Sequence, residues 1–192
     1  MTWNAFHSRG EILRELAELA AQRRDGRLPH RLPDGTPVVP GAFADELDVL
    51  GAVLLAWHAG LSGNIERELG NQPMDLEAAV VRAWARTADA RPGLRLIADQ
   101  YLAHPVDDQM ARVLRRAQHK ERAGLAAAAG LAFDEGPAAV EAGHRLETAA
   151  RGLRRSAAPT PTPDAQPTPA APAQGPTPGS LAERIKAALA AA

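Results

Sequence analysis

Between Phe43 and Leu69 the chain repeats an apolar residue every three or four positions: Phe43, Leu47, Leu50, Leu54, Trp57, Leu61, Ile65 and Leu69. On an α-helix this spacing makes a single stripe, and Asp45, Glu46, Asp48, Asn64, Arg67 and Glu68 fall away from it. A helix over that stretch would be roughly 40 Å long, at about 1.5 Å per residue. Shorter helices can pack around such a rod, so the repeat predicts the centre of a bundle.

The flanking segments read as those shorter helices. Ser8 with Glu11 has the spacing of a capping box, and Ile12, Leu13, Leu16, Leu19 and Ala20 continue as an apolar face to about Arg24. Pro29, Pro33, Pro37 and Pro40 then interrupt residues 26–41, where Asp34-Gly35 marks a turn. A loop pinned on the bundle fits there better than a short hairpin with Leu32 facing Val38. Asp75 is placed to cap a helix carrying Leu76, Val80, Trp84 and Ala88, which ends at Arg91-Pro92. Pro92 opens a further short helix with Leu94, Ile97 and Tyr101 facing inward. A fifth helix runs from about residue 105 to 130, and a sixth begins at Gly136-Pro137 with Ala139, Ala142, Leu146, Ala149 and Leu153 on its face. Gly51 and Gly60 are candidates for close helix contact. No run of β-branched residues alternates with period two, so the fold class is all-α: a helical bundle of about five to six helices around one long central helix, over residues 1–155.

Beyond that point the composition changes. Residues 156–180 hold eight prolines and a single charge, Asp164. This predicts an extended, disordered Pro/Ala/Thr linker over 156–179. Ser180 and Glu183 repeat the capping-box spacing, and Leu181, Ile185, Ala188 and Leu189 share one side of a short amphipathic helix over 180–192. At that length it is marginal alone and gains order against a partner. A folded domain, a tether and a terminal amphipathic helix resemble, in layout, the docking tails of proteins recruited into bacterial compartments and multi-protein assemblies. The resemblance implies a protein partner, or self-association, through Leu181, Ile185, Ala188 and Leu189.

Composition excludes some chemistry. With no cysteine, the chain has no disulfide, thiolate metal ligand or cysteine nucleophile. The longest apolar run, residues 51–57, falls far short of the ~20 residues a bilayer span needs, and the start lacks a secretory signal pattern. A cytoplasmic protein with no membrane partner is expected. A net charge of −1 argues against a wholly basic nucleic-acid binder.

Three residue sets are candidates for chemistry. Glu141 and His144 form a Glu-x-x-His pair able to share a metal on one helix face, with His58 or His119 as possible further ligands. The four-helix metal pattern needs a second such pair, and His58, His104 and His119 lack a glutamate three residues earlier, so no metal or cofactor is expected. His58 would need a nearby partner to act as a base; Asp45, Asp48 and Ser62 are candidates by helical proximity alone, and Asp45, about three and a half turns away, is too far to pair, so the set fails as a triad. Arg112, Arg115, Arg116, His119, Lys120 and Arg122 make a positive stripe on the fifth helix, suited to an anion or acidic partner. Helix-turn-helix spacing is missing, and Asp107 and Asp108 at that helix start suggest an ordinary solvated dipole arrangement. The reading that results is a non-catalytic interaction or adaptor protein. A helical metal protein or enzyme, and an anion- or nucleic-acid-binding regulator, are the alternatives.

Overall fold

The computed structural model describes residues 3–157, with side chains from Arg9 onward. The expected linker and terminal helix lie outside these residues. Six α-helices follow in order: α1 (Trp3–Arg23), α2 (Glu46–Gly70), α3 (Leu76–Ala90), α4 (Pro92–Ala103), α5 (Asp108–Ala128) and α6 (Pro137–Ala157). The all-α bundle is what the periodicity predicts, and no described helix is long and apolar enough to cross a membrane.

Local chemistry sets most of the boundaries. The side chains of Asp45, Asp75 and Asp107 accept from the amides of Asp48, Ala78 and Met110, satisfying donors that the first helical turn leaves open. Pro92 begins α4 because its missing N–H costs nothing there. Helix α1 starts at Trp3, so Ser8 lies within it instead of capping it; no proline or glycine separates the two residues to break the helix. Arg24, at φ +58°, takes the chain out of α1, and Gly26, at φ +65°, follows in the same left-handed region, where glycine is the residue that fits without strain.

The proline-rich segment is a pinned loop. Leu32, Val38 and Phe43 are its buried anchors. One antiparallel bridge, Arg31 to Pro37, closes around the Asp34-Gly35 turn, with Val38 N–H donating to the His30 carbonyl at 2.9 Å. The Phe43 N–H closes a wide turn onto the Val38 carbonyl, so this first residue of the apolar stripe sits in the loop, ahead of α2.

Helix α2 joins two halves of the core. Val49, Leu50 and Val53 pack with α1, α4 and the loop. Trp57 and Leu61 pack with α3, α5 and α6. Glu68, expected to face away, is buried, with Arg82 at 3.2 Å and Arg86 at 3.0 Å on its carboxylate. On α6 Ala139, Ala142, Leu146 and Ala150 are buried along with Gly143 and Glu147, whereas Ala149 and Leu153 are exposed. A straight helix turns every 3.6 residues, so the inner face drifts off a seven-residue spacing.

Among the glycines, Gly93 and Gly143 lie tightest against a neighbouring helix. A Cβ at Gly93 would lie 1.7 Å from the Ala17 carbonyl oxygen, and one at Gly143 would lie 1.8 Å from that of Arg122. Gly51 opens on empty space, and Gly60 meets only the tip of Arg91, so neither marks a close crossing.

Candidate functional site

The interior between α2, α3, α4, α5 and α6 holds a cluster of charged side chains beside the apolar stripe. Glu121 of α5 is its centre, with a side chain only 6% exposed. Trp57 Nε1 donates to its Oε2 and Trp84 Nε1 to its Oε1, both at 3.1 Å. Arg95 Nη1 stands 3.3 Å from Oε1, and His58 Nε2 stands 3.2 Å from Oε2. The two indoles meet edge to face at 5.5 Å, and the Arg95 guanidinium lies 5.0 Å from the ring of Trp57.

From Arg95 the charges alternate outward. Asp99 accepts from Arg95 Nε at 2.9 Å and from both terminal nitrogens of Arg151 at 2.8 Å. Glu147 accepts from Arg151 Nη2 at 2.8 Å and from Arg122 Nε at 3.0 Å. Arg151 also covers the outer face of Trp84 at 5.0 Å. Three acids thus alternate with three arginines, and among the described residues no buried side-chain polar atom lacks a partner.

These contacts fix protonation states. Burial alone would raise the Glu121 carboxyl, but the His58 hydrogen bond, the Arg95 charge and the Trp84 N–H outweigh it and hold it below the usual carboxylate range. Burial would also raise Asp99, and the Arg151 hydrogen bonds and Arg95 charge again win. An ionised carboxylate only accepts, so the contact with His58 has Nε2–H as its donor.

His58 and Glu121 line a groove of about 370 Å³ between α2 and α5, with apolar walls of Leu61, Ile65, Leu125 and Ala128. A carboxylate that orients an imidazole is half of a general-base arrangement. Ser62 also lines the groove but makes no hydrogen bond to His58. Asp45 caps α2 and Asp48 pairs with Arg9 at 2.6 Å, so neither serves His58, as their distance along the helix implied.

The remaining candidates are separated from one another. Glu141 and His144 are exposed on α6. His119 bonds the Glu135 carbonyl at 2.8 Å. No group of three potential metal ligands occurs among the described residues. Arg112, Arg115, Arg116 and Lys120 are exposed on α5 and form no ion pair among the described residues, whereas Arg122 is drawn inward to Glu147. Leu181, Ile185, Ala188 and Leu189 lie outside the described residues.

Glu121, Arg95, Asp99, Glu147 and Arg151 were not singled out by spacing. Two signals point to them. Arg95 falls between Leu94 and Ile97 on the inward face of α4, and two tryptophans on inward faces each need an acceptor for an indole N–H. Comparison with protein-family models, with curated proteins and with solved structures found no match to this chain.

Proposed function

We propose that the bundle is a non-catalytic interaction module of the cytoplasm, which recruits a protein partner through the amphipathic segment at residues 180–192. The observation that supports this is the saturation of the buried charges. Glu121 accepts from four donors, and Arg95, Asp99, Arg151 and Glu147 are each bound to a neighbour in the same cluster. Groups so fully engaged hold helices together and leave little to bind or turn over a substrate. Recruitment then falls to the surface and to the tethered segment, whose sequence supplies an apolar face. Pull-down with the full chain and with a chain lacking residues 176–192 tests this. Partners should be lost with the segment, and an identical set of captured proteins would overturn the reading.

A second reading is favoured by the exposed cations on α5 that form no ion pair among the described residues. Arg112, Arg115, Arg116 and Lys120 offer a linear positive surface to a polyanion. Reversing Arg112, Arg115 and Arg116 to glutamate should abolish heparin retention at low salt if the stripe binds anions. Unchanged retention removes that reading.

A further inference from the structure

We infer that the end of the bundle formed by the α2–α3 and α5–α6 connections docks a basic amphipathic helix of a partner protein. The two connections share one end because α3 and α6 run the same way. Gly130 lies beside Leu76 where they begin, with 3.6 Å between a Cβ built there and the Leu76 side chain, and Asp89 pairs with Arg154 at 2.7 Å where they finish. At the shared end four large apolar side chains face water. Met74 is fully exposed, Phe133 is 97% exposed, and Leu76 and Leu131 are exposed by about two-fifths. A phenylalanine alone carries about 150–250 Å², so the four reach the few hundred Å² at which a patch on a monomer is commonly functional.

Charge selects the occupant. Over residues 71–77 and 129–136 the charged residues are Asp75, Glu77, Asp134 and Glu135, all exposed, with no lysine or arginine among them. An apolar centre with a rim of carboxylates complements a helix bearing an apolar stripe flanked by lysine or arginine. A second copy joined through the same face would set these carboxylates against their own equivalents.

This inference rests on the bundle being an interaction module, and the two fail separately. If tail deletion empties the pull-down while the end surface binds nothing, only the end surface is wrong. The direct test titrates the full chain into a fluorescent Leu/Lys amphipathic peptide and follows anisotropy. Saturable binding is expected, weakened roughly tenfold or more by Phe133→Asp or Met74→Asp and by high salt, with no binding of a Leu/Glu peptide of the same apolar face. Both residues are exposed, so unchanged circular dichroism will show the variants folded. Equal binding by wild type and Phe133→Asp would overturn the inference, as would equal binding of both peptides. So would displacement of the Leu/Lys peptide by a synthetic 180–192 segment at lower concentration, which would make the chain's own tail the occupant. A mass that doubles with concentration and reverts in Phe133→Asp would assign the face to a second copy and overturn it as well.

Discussion

Replacing Glu121 by alanine should cost the bundle about 3–5 kcal/mol, the usual consequence of breaking a buried charge pair from one side. In a domain of this size that is a fall in Tm of roughly 6–20 °C. The loss has two parts. Arg95, with a side chain 5% exposed, keeps a buried positive charge and loses one of its two carboxylates. The indole N–H groups of Trp57 and Trp84 lose their acceptor, at about 1–3 kcal/mol for each buried group left unsatisfied. Glu121→Gln separates these parts, because the amide oxygen still accepts from an indole while the charge is gone. It should fall between wild type and alanine. Glu135, exposed at its loop, provides the control: Glu135→Gln should change stability by less than about 0.5 kcal/mol. A loss below about 1 kcal/mol for Glu121→Ala, measured by urea or thermal unfolding, would mean that water reaches the cluster and that its geometry carries little energy.

Acid should probe the same carboxylate. Glu121 and Asp99 ionise more readily in the folded chain than in the unfolded one. Their contribution is complete above the ordinary carboxylate pKa of about 4 and is lost as pH falls through their lower folded values. Stability of the wild type should therefore drop steeply on the acid side, and Glu121→Gln should flatten that limb without steepening the neutral region.

The architecture was largely legible because it depends on local chemistry. Asp75 as a cap, Pro92 as a first helical residue and Arg91-Pro92 as a stop follow from backbone donors and sterics that need no knowledge of neighbours. Leu50, Trp57 and Leu61 could be placed inward from period alone. The charged interior was not legible for the opposite reason. Arg95 with Asp99 and Glu147 with Arg151 are four apart, the spacing of ordinary surface ion pairs. What distinguishes them is Glu121 arriving from a third helix, and that is a property of the packing. Glu68 was misplaced for the same reason, since Arg82 and Arg86 reach it from α3.

Glycine spacing is equally blind to packing, and it yields the other large expected effect. On an exposed helix surface glycine to alanine gains up to about 1 kcal/mol, so Gly51→Ala and Gly63→Ala, both facing open space, should stabilise the bundle. Gly143→Ala should do the reverse. The added carbon would sit 1.8 Å from the Arg122 carbonyl oxygen, inside the 3.0 Å that real Cβ atoms respect, and the obstacle is backbone that no rotamer change removes. Helices α5 and α6 must separate, against the alanines at 123, 126, 139 and 142 that pack between them and the Arg122–Glu147 pair at 3.0 Å. Forced overpacking of this kind costs about 1–3 kcal/mol, which exceeds the propensity gain and should lower Tm by several degrees. Gly93→Ala should match it, because its contact at the Ala17 carbonyl is as close. The opposite signs make the comparison decisive: four variants that all stabilise would place the true helix crossings elsewhere. Separation at Gly143 also moves the α5–α6 connection bearing Leu131 and Phe133, so Gly143→Ala should weaken binding of the basic peptide without altering any residue of the end surface.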